Sequence, residues 1–160
     1  MSVYLSISPP DGFTRWNEPE WDRWLRDHPW EAAERICSRG DWAIFLYQVR
    51  ALSDKAKKFI EPHLDSLVNE RPLDTQACDG LRLGFELAED ELAKKPAELL
   101  RTINNQFASA EDLDAMIQAA RSRTGKEPTA SDVWTEVFDA VGDVLEAAGR
   151  AKRGVYFGNL

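Results

Sequence analysis

The 160-residue chain contains few of the residues that most often carry chemistry. It has only two cysteines and two histidines, Cys37, Cys78, His28 and His63, and no two of them are closer than nine positions. Structural zinc sites use close ligand pairs such as Cys-x2-Cys, so this spacing predicts no metal site. Nor does it suggest a secreted disulfide framework, and we expect both thiols to be reduced.

Motifs for catalysis and nucleotide binding are also missing. The sequence has no Gly-x-Ser-x-Gly elbow, and residues 124–127 lack the first glycine and the final Ser/Thr of a phosphate-binding loop. Cys37 is predicted near the C-terminal end of a helix, where the helix dipole disfavours the thiolate, and Cys78 is predicted to be a buried apolar residue. We therefore predict no catalytic residue and no cofactor, and interpret the protein as not an enzyme.

Long hydrophobic runs and an excess of positive charge are absent as well. The longest apolar run, residues 42–47, is far shorter than the roughly 20 residues of a membrane span, and the first residues lack the pattern of a signal peptide. Acidic residues outnumber basic ones by 28 to 20, for a net charge of −8. This charge disfavours nucleic acid and anionic membranes, and it favours a protein partner with a basic surface. We expect a cytoplasmic location.

Hydrophobic periodicity predicts a mainly α (α+β) fold. Val3, Leu5 and Ile7 alternate as in a half-buried strand, and residues 155–157 predict a last strand. Between them, capping residues and prolines divide the helical pattern into about seven helices, one of which runs from Pro29 to Gly40. Without a repeat or a break in composition, residues 1–160 are predicted to form one domain. We expect a single layer of helices beside paired N- and C-terminal strands.

An acidic stripe stands out on the last predicted helix. Spacings of 4, 3, 4 and 3 place five carboxylates on one face: Asp132, Glu136, Asp139, Asp143 and Glu146. Solvated helices usually interleave charges, because like charges four residues apart cost a few tenths of a kcal/mol. Residues 127–149 nevertheless contain no Lys or Arg. We predict that this stripe binds a cationic partner. The alternative is a solvated face balanced by the lysines of residues 55–58 or by Arg121.

Tryptophan is unusually dense near the N-terminus. Five of the six tryptophans lie within 27 residues, at positions 16, 21, 24, 30 and 42. Tryptophan is enriched in binding hot spots, although the helical spacing of Trp21 and Trp24 favours a role in the core. Trp16 and Trp30 are flanked by charges and prolines. We predict that these two are exposed and contribute to partner binding.

In size, acidity, lack of catalytic motifs and strand–helices–strand pattern, the chain resembles bacterial immunity proteins. These small cytosolic inhibitors neutralise a cognate toxin by covering its active site. The resemblance implies a protein-binding inhibitor of a basic toxin or enzyme, and it assigns no residues because no sequence motif defines these proteins. Two alternatives remain. One is a structural or adaptor module that forms a homodimer through the Trp-rich segment, and the other is a helical enzyme that uses carboxylates or a divalent metal.

Overall fold

Four short strands and eight helices follow one another in the described residues of a computed structural model, which are 1–9, 19–69, 71–103 and 108–159. The strands are β1 (Ser2–Ile7), β2 (Glu34–Ser38), β3 (Pro72–Leu73) and β4 (Val155–Asn159). The helices are α1 (Pro19–Asp27), α2 (Arg39–Leu52), α3 (Asp54–Ile60), α4 (Leu64–Val68), α5 (Thr75–Ala93), α6 (Ala110–Thr124), α7 (Ala130–Val133) and α8 (Thr135–Ala151). Short 3₁₀ helices lie at Pro29–Glu31, Glu61–His63 and Ala97–Thr102. This architecture confirms the predicted mainly α (α+β) class.

The four strands form one antiparallel sheet in the order β2-β1-β4-β3. β1 pairs with β4 from Val3 opposite Asn159 to Ile7 opposite Val155, which confirms that the two terminal strands pair. The second neighbour of β1 is β2, with a register shift between Val3 and Tyr4. β3 adds a two-residue edge beside β4.

The helix predicted from Pro29 to Gly40 is wrong. Only Pro29–Glu31 form a 3₁₀ helix, and Glu34–Ser38 form the strand β2. β2 pairs with β1, Ile36 and Cys37 are buried, and this tertiary environment overrides the local helical pattern. Gly40 does not close a helix but lies in the first turn of α2.

Several helices begin and end at local capping signals in the sequence. Ser53 caps α3, and both Ser109 and Thr129 form capping boxes with an acid three residues later. α6 ends at Gly125, whose φ of 68° is left-handed and therefore suits glycine. No helix in the described ranges is long and apolar enough to cross a membrane.

An aromatic cluster fixes the orientation of α8. The ring of Phe45 lies 5.1 Å from Phe138 and 5.4 Å from Trp134, measured between centroids. Trp134 also donates a hydrogen bond of 2.7 Å from Nε1 to the buried Gln48. The apolar side of α8 is buried by these contacts, by α5 and by the sheet. Burial of each large apolar side chain stabilises the fold by roughly 1.5–3 kcal/mol. The apolar side of α8 is therefore held against the core, and its opposite side faces outward.

Candidate partner-binding face

Four of the five predicted stripe residues are exposed on α8, namely Glu136, Asp139, Asp143 and Glu146. The fifth, Asp132, lies in the separate helix α7, because Trp134 leaves helical geometry with φ −113° and ψ 14°. The carboxylate of Asp132 accepts the backbone N–H of Thr129 at 2.8 Å. The prediction of one continuous stripe is therefore wrong at its first residue, which acts as a helix cap.

Carboxylates from two other elements join the middle of α8. Burial and then the nearby charge of Asp143 raise the pKa of Glu34 on β2. Burial also raises the pKa of Glu89 on α5, followed by the charges of Asp139, Asp90 and Glu86. A carboxylate that raises the pKa of another carboxyl group by its charge must lie close to that group. We call this set the acidic face: Glu34, Glu86, Glu89, Asp90, Asp139 and Asp143.

Two of the basic residues expected to balance the stripe, Lys55 and Arg121, pair with other acids. Lys55 contacts Glu91 at 3.8 Å, and Arg121 contacts Glu127 at 3.0 Å. Within the described part of the chain, none of the ion pairs includes a residue of the acidic face. The like charges of this surface therefore keep their mutual repulsion.

The N-terminal end of α8 is different in charge. Glu136 lines a cleft of about 240 Å³ together with Arg35 and Arg123. Arg123 also donates a hydrogen bond to the carbonyl oxygen of Asp132. This end of the predicted stripe is thus mixed in charge, and the unbalanced region begins at Asp139.

Trp30 is presented by a firmly held turn. Its side chain is 69% exposed, as predicted, within the 3₁₀ helix Pro29–Glu31. The next residue, Glu31, is buried, contacts Arg153 at 2.5 Å and accepts a hydrogen bond of 2.6 Å from Trp24 Nε1. His28 stacks on Trp24 at 3.9 Å and meets Trp30 edge-on at 5.3 Å. The turn that carries the exposed indole is therefore anchored by the buried contacts of Glu31.

Trp30 and the acidic face meet in one small cleft. Its volume is about 120 Å³, and its walls are Ile7, Trp30, Ala32, Glu34, Asp143, Val144 and Ala147. The structure thus brings together two predicted site residues, Trp30 and Asp143. It adds Glu34, which the sequence analysis missed because β2 was predicted as a helix. Trp16, the other tryptophan predicted to bind, lies outside the described residues.

The cysteines and histidines do not assemble into a reactive site. Among the residues that the structure describes, no group of three or more His, Cys, Asp or Glu side chains is arranged to hold a metal ion. Burial raises the pKa of Cys37 to about 12, with a further contribution from Asp41, and burial raises the pKa of Cys78 to about 11. Cys37 was expected near the C-terminal end of a helix, where the helix dipole disfavours the thiolate. It lies instead in the strand β2, and burial is what disfavours its thiolate.

No protein-family model, curated protein sequence or solved structure matches this chain. The fold and the acidic face together describe an α+β domain that displays clustered carboxylates beside one exposed tryptophan.

Proposed function

We propose that this protein is a binding inhibitor that docks its acidic face on the basic surface of a toxin or enzyme and covers the active site. One observation carries the proposal. Trp30 is 69% exposed and is held beside Glu34 and Asp143, which share a cleft with it. Tryptophan is enriched in binding hot spots, and the unpaired like charges beside it suit a cationic partner.

The acidic face and Trp30 contribute in different ways. Carboxylates at the middle of α8 steer a basic partner toward the surface and accelerate association, an effect that salt screens. Trp30 supplies apolar area on an anchored turn, so covering it orders little additional backbone. A basic active-site cleft, such as that of an enzyme acting on nucleic acid, has the complementary charge.

The experiment co-expresses the chain with the product of the neighbouring gene and measures affinity and enzyme inhibition. We expect a one-to-one complex that blocks activity. The variant Asp139→Lys/Asp143→Lys is expected to bind at least about tenfold more weakly and to show a smaller salt dependence. Asp79→Lys/Glu111→Lys is the matched control, because both residues are exposed but lie outside the acidic face.

Two outcomes contradict the proposal. One is failure of the neighbour's product to bind or to be inhibited. The other is equal affinity for both double variants. A stable dimer in the absence of the neighbour's product, seen by light scattering, would support the adaptor interpretation in its place.

A further inference from the structure

We infer that the cleft formed by Trp30, Glu34 and Asp143 receives a single arginine side chain of the partner. The inference rests on the proposed function for the existence of that partner. The chemistry of the cleft is argued from this chain alone.

The size of the cleft selects a side chain over a small molecule. Its volume of about 120 Å³ is well below the roughly 300–1,000 Å³ of sites for small molecules and cofactors. Two of its wall residues, Ile7 and Val144, are buried core residues. A cleft lined by both apolar and charged residues suits a long side chain whose stem is apolar and whose tip is charged.

The charge of the cleft selects a cation. Glu34 and Asp143 come from β2 and α8, and both line the cleft. Their proximity raises the pKa of Glu34 in addition to the effect of burial. A cation between the two carboxylates would replace this repulsion with attraction, whereas a phosphate or carboxylate ligand would increase it.

The indole of Trp30 favours arginine over lysine. A guanidinium group is planar, stacks on aromatic rings and forms bidentate contacts with carboxylates, whereas an ammonium group is a compact and strongly hydrated charge. The ring of Trp30 meets His28 edge-on at 5.3 Å and remains 69% exposed. A flat cation could therefore lie on the indole and contact both carboxylates.

The test titrates the chain with N-acetyl-arginine amide and follows the indole N–H signal of Trp30 by NMR. The signal is assigned by its loss in Trp30→Phe. We expect a saturable shift, weaker binding of N-acetyl-lysine amide, and no shift with the neutral citrulline amide. Glu34→Gln/Asp143→Asn is expected to bind the arginine amide about fivefold more weakly. Asp79→Asn/Glu111→Gln, which removes two charges outside the cleft, is expected to bind like the wild type.

The inference is overturned if the arginine amide gives no saturable shift, if citrulline amide gives an equal one, or if the cleft variant binds as tightly as the control. Failure of the two proposals can be told apart. If the arginine amide gives a saturable shift but the neighbour's product does not bind, the inference about the cleft stands and the proposed inhibitor function fails. If that product binds wild type and Glu34→Gln/Asp143→Asn equally well and the arginine amide gives no shift, the proposed inhibitor function stands and the inference about the cleft fails.

Discussion

Replacement of Arg153 by Met should be costly, because Arg153 is the cation that pairs with buried Glu31. The two side chains are only 17% and 7% exposed, and their charged atoms are 2.5 Å apart. Without Arg153 the carboxylate stays buried with the hydrogen bond from Trp24 at 2.6 Å. Breaking one side of a buried pair costs about 3–5 kcal/mol. The retained Trp24 contact favours the lower end, which is still a large share of the roughly 5–15 kcal/mol that stabilises a domain.

Urea unfolding followed by far-ultraviolet circular dichroism measures this loss. With a slope near 2 kcal/mol per molar urea, a loss of about 3 kcal/mol lowers the midpoint by about 1.5 M. Arg150→Met is the matched control, since Arg150 is exposed in the last turn of α8. We expect its effect to remain within about 0.5 kcal/mol.

The pH dependence gives a second readout of the same pair. Burial raises the pKa of Glu31, but the contacts with Arg153 and Trp24 together lower it by more than burial raises it. The pKa of Glu31 therefore lies below the ordinary 4.5. A carboxyl group with a lowered folded-state pKa adds stability above its unfolded pKa, and this stability is lost as the pH falls through the folded-state pKa. The difference between wild type and Arg153→Met should therefore be largest at neutral pH and shrink in acid. A loss below about 1 kcal/mol at pH 7, or a difference that acid leaves unchanged, would refute the reasoning.

Further predictions concern the acidic face, the N-terminal cap of α6 and the edge of the sheet. Glu34 and Glu89 have raised pKa values, because burial and neighbouring carboxylates favour their protonated forms, so their ionisation costs stability as the pH rises. Glu34→Gln and Glu89→Gln should each raise Tm at pH 7 and lose this gain in acid, and a lower Tm for both variants would contradict the repulsion between carboxylates. Asp112→Asn should instead lower Tm, because hydrogen bonds from Ser109 lower the pKa of Asp112 in the folded protein. Gly154→Ala should cost about 1–3 kcal/mol in urea unfolding, because a β-carbon there would clash with the Leu73 carbonyl oxygen. Gly142→Ala should instead increase the free energy of unfolding by about 0.5–1 kcal/mol, because a β-carbon at Gly142 would meet no atom within 4 Å. Equal stability of the two variants would contradict the close approach of β3 to residue 154.

Much of the helical structure could be predicted because its signals are local. The capping boxes at Ser109 and Thr129 require only residues three positions apart, so the signal for each is local. The apolar spacing of α8 likewise predicts its buried side, from Val137 to Ala148. Local hydrogen bonds and one-sided burial are written into short stretches of sequence, so a single chain suffices to find them.

β2 could not be predicted in this way, because partners far along the chain decide its structure. The segment from Ala32 to Ser38 is short and begins with two alanines, which favour helix. Its strand geometry comes from pairing with β1, where Cys37 lies opposite Val3 and Glu34 opposite Leu5. Strand preference of this kind reflects fit to neighbouring strands more than an intrinsic property of the segment.

The same long-range contacts determine which predicted residues form a site. Asp143 and Trp30 were recognisable from the sequence as an unbalanced charge and an exposed aromatic residue, but nothing local places them together. Asp143 lies on α8, and Arg153, just beyond the end of that helix, holds Glu31 beside Trp30. α8 therefore positions one wall of the cleft directly and, through the residues that follow it, fixes the turn that carries the opposite wall. Charge and aromatic content can be counted in a sequence, whereas their juxtaposition depends on how this helix packs against β2.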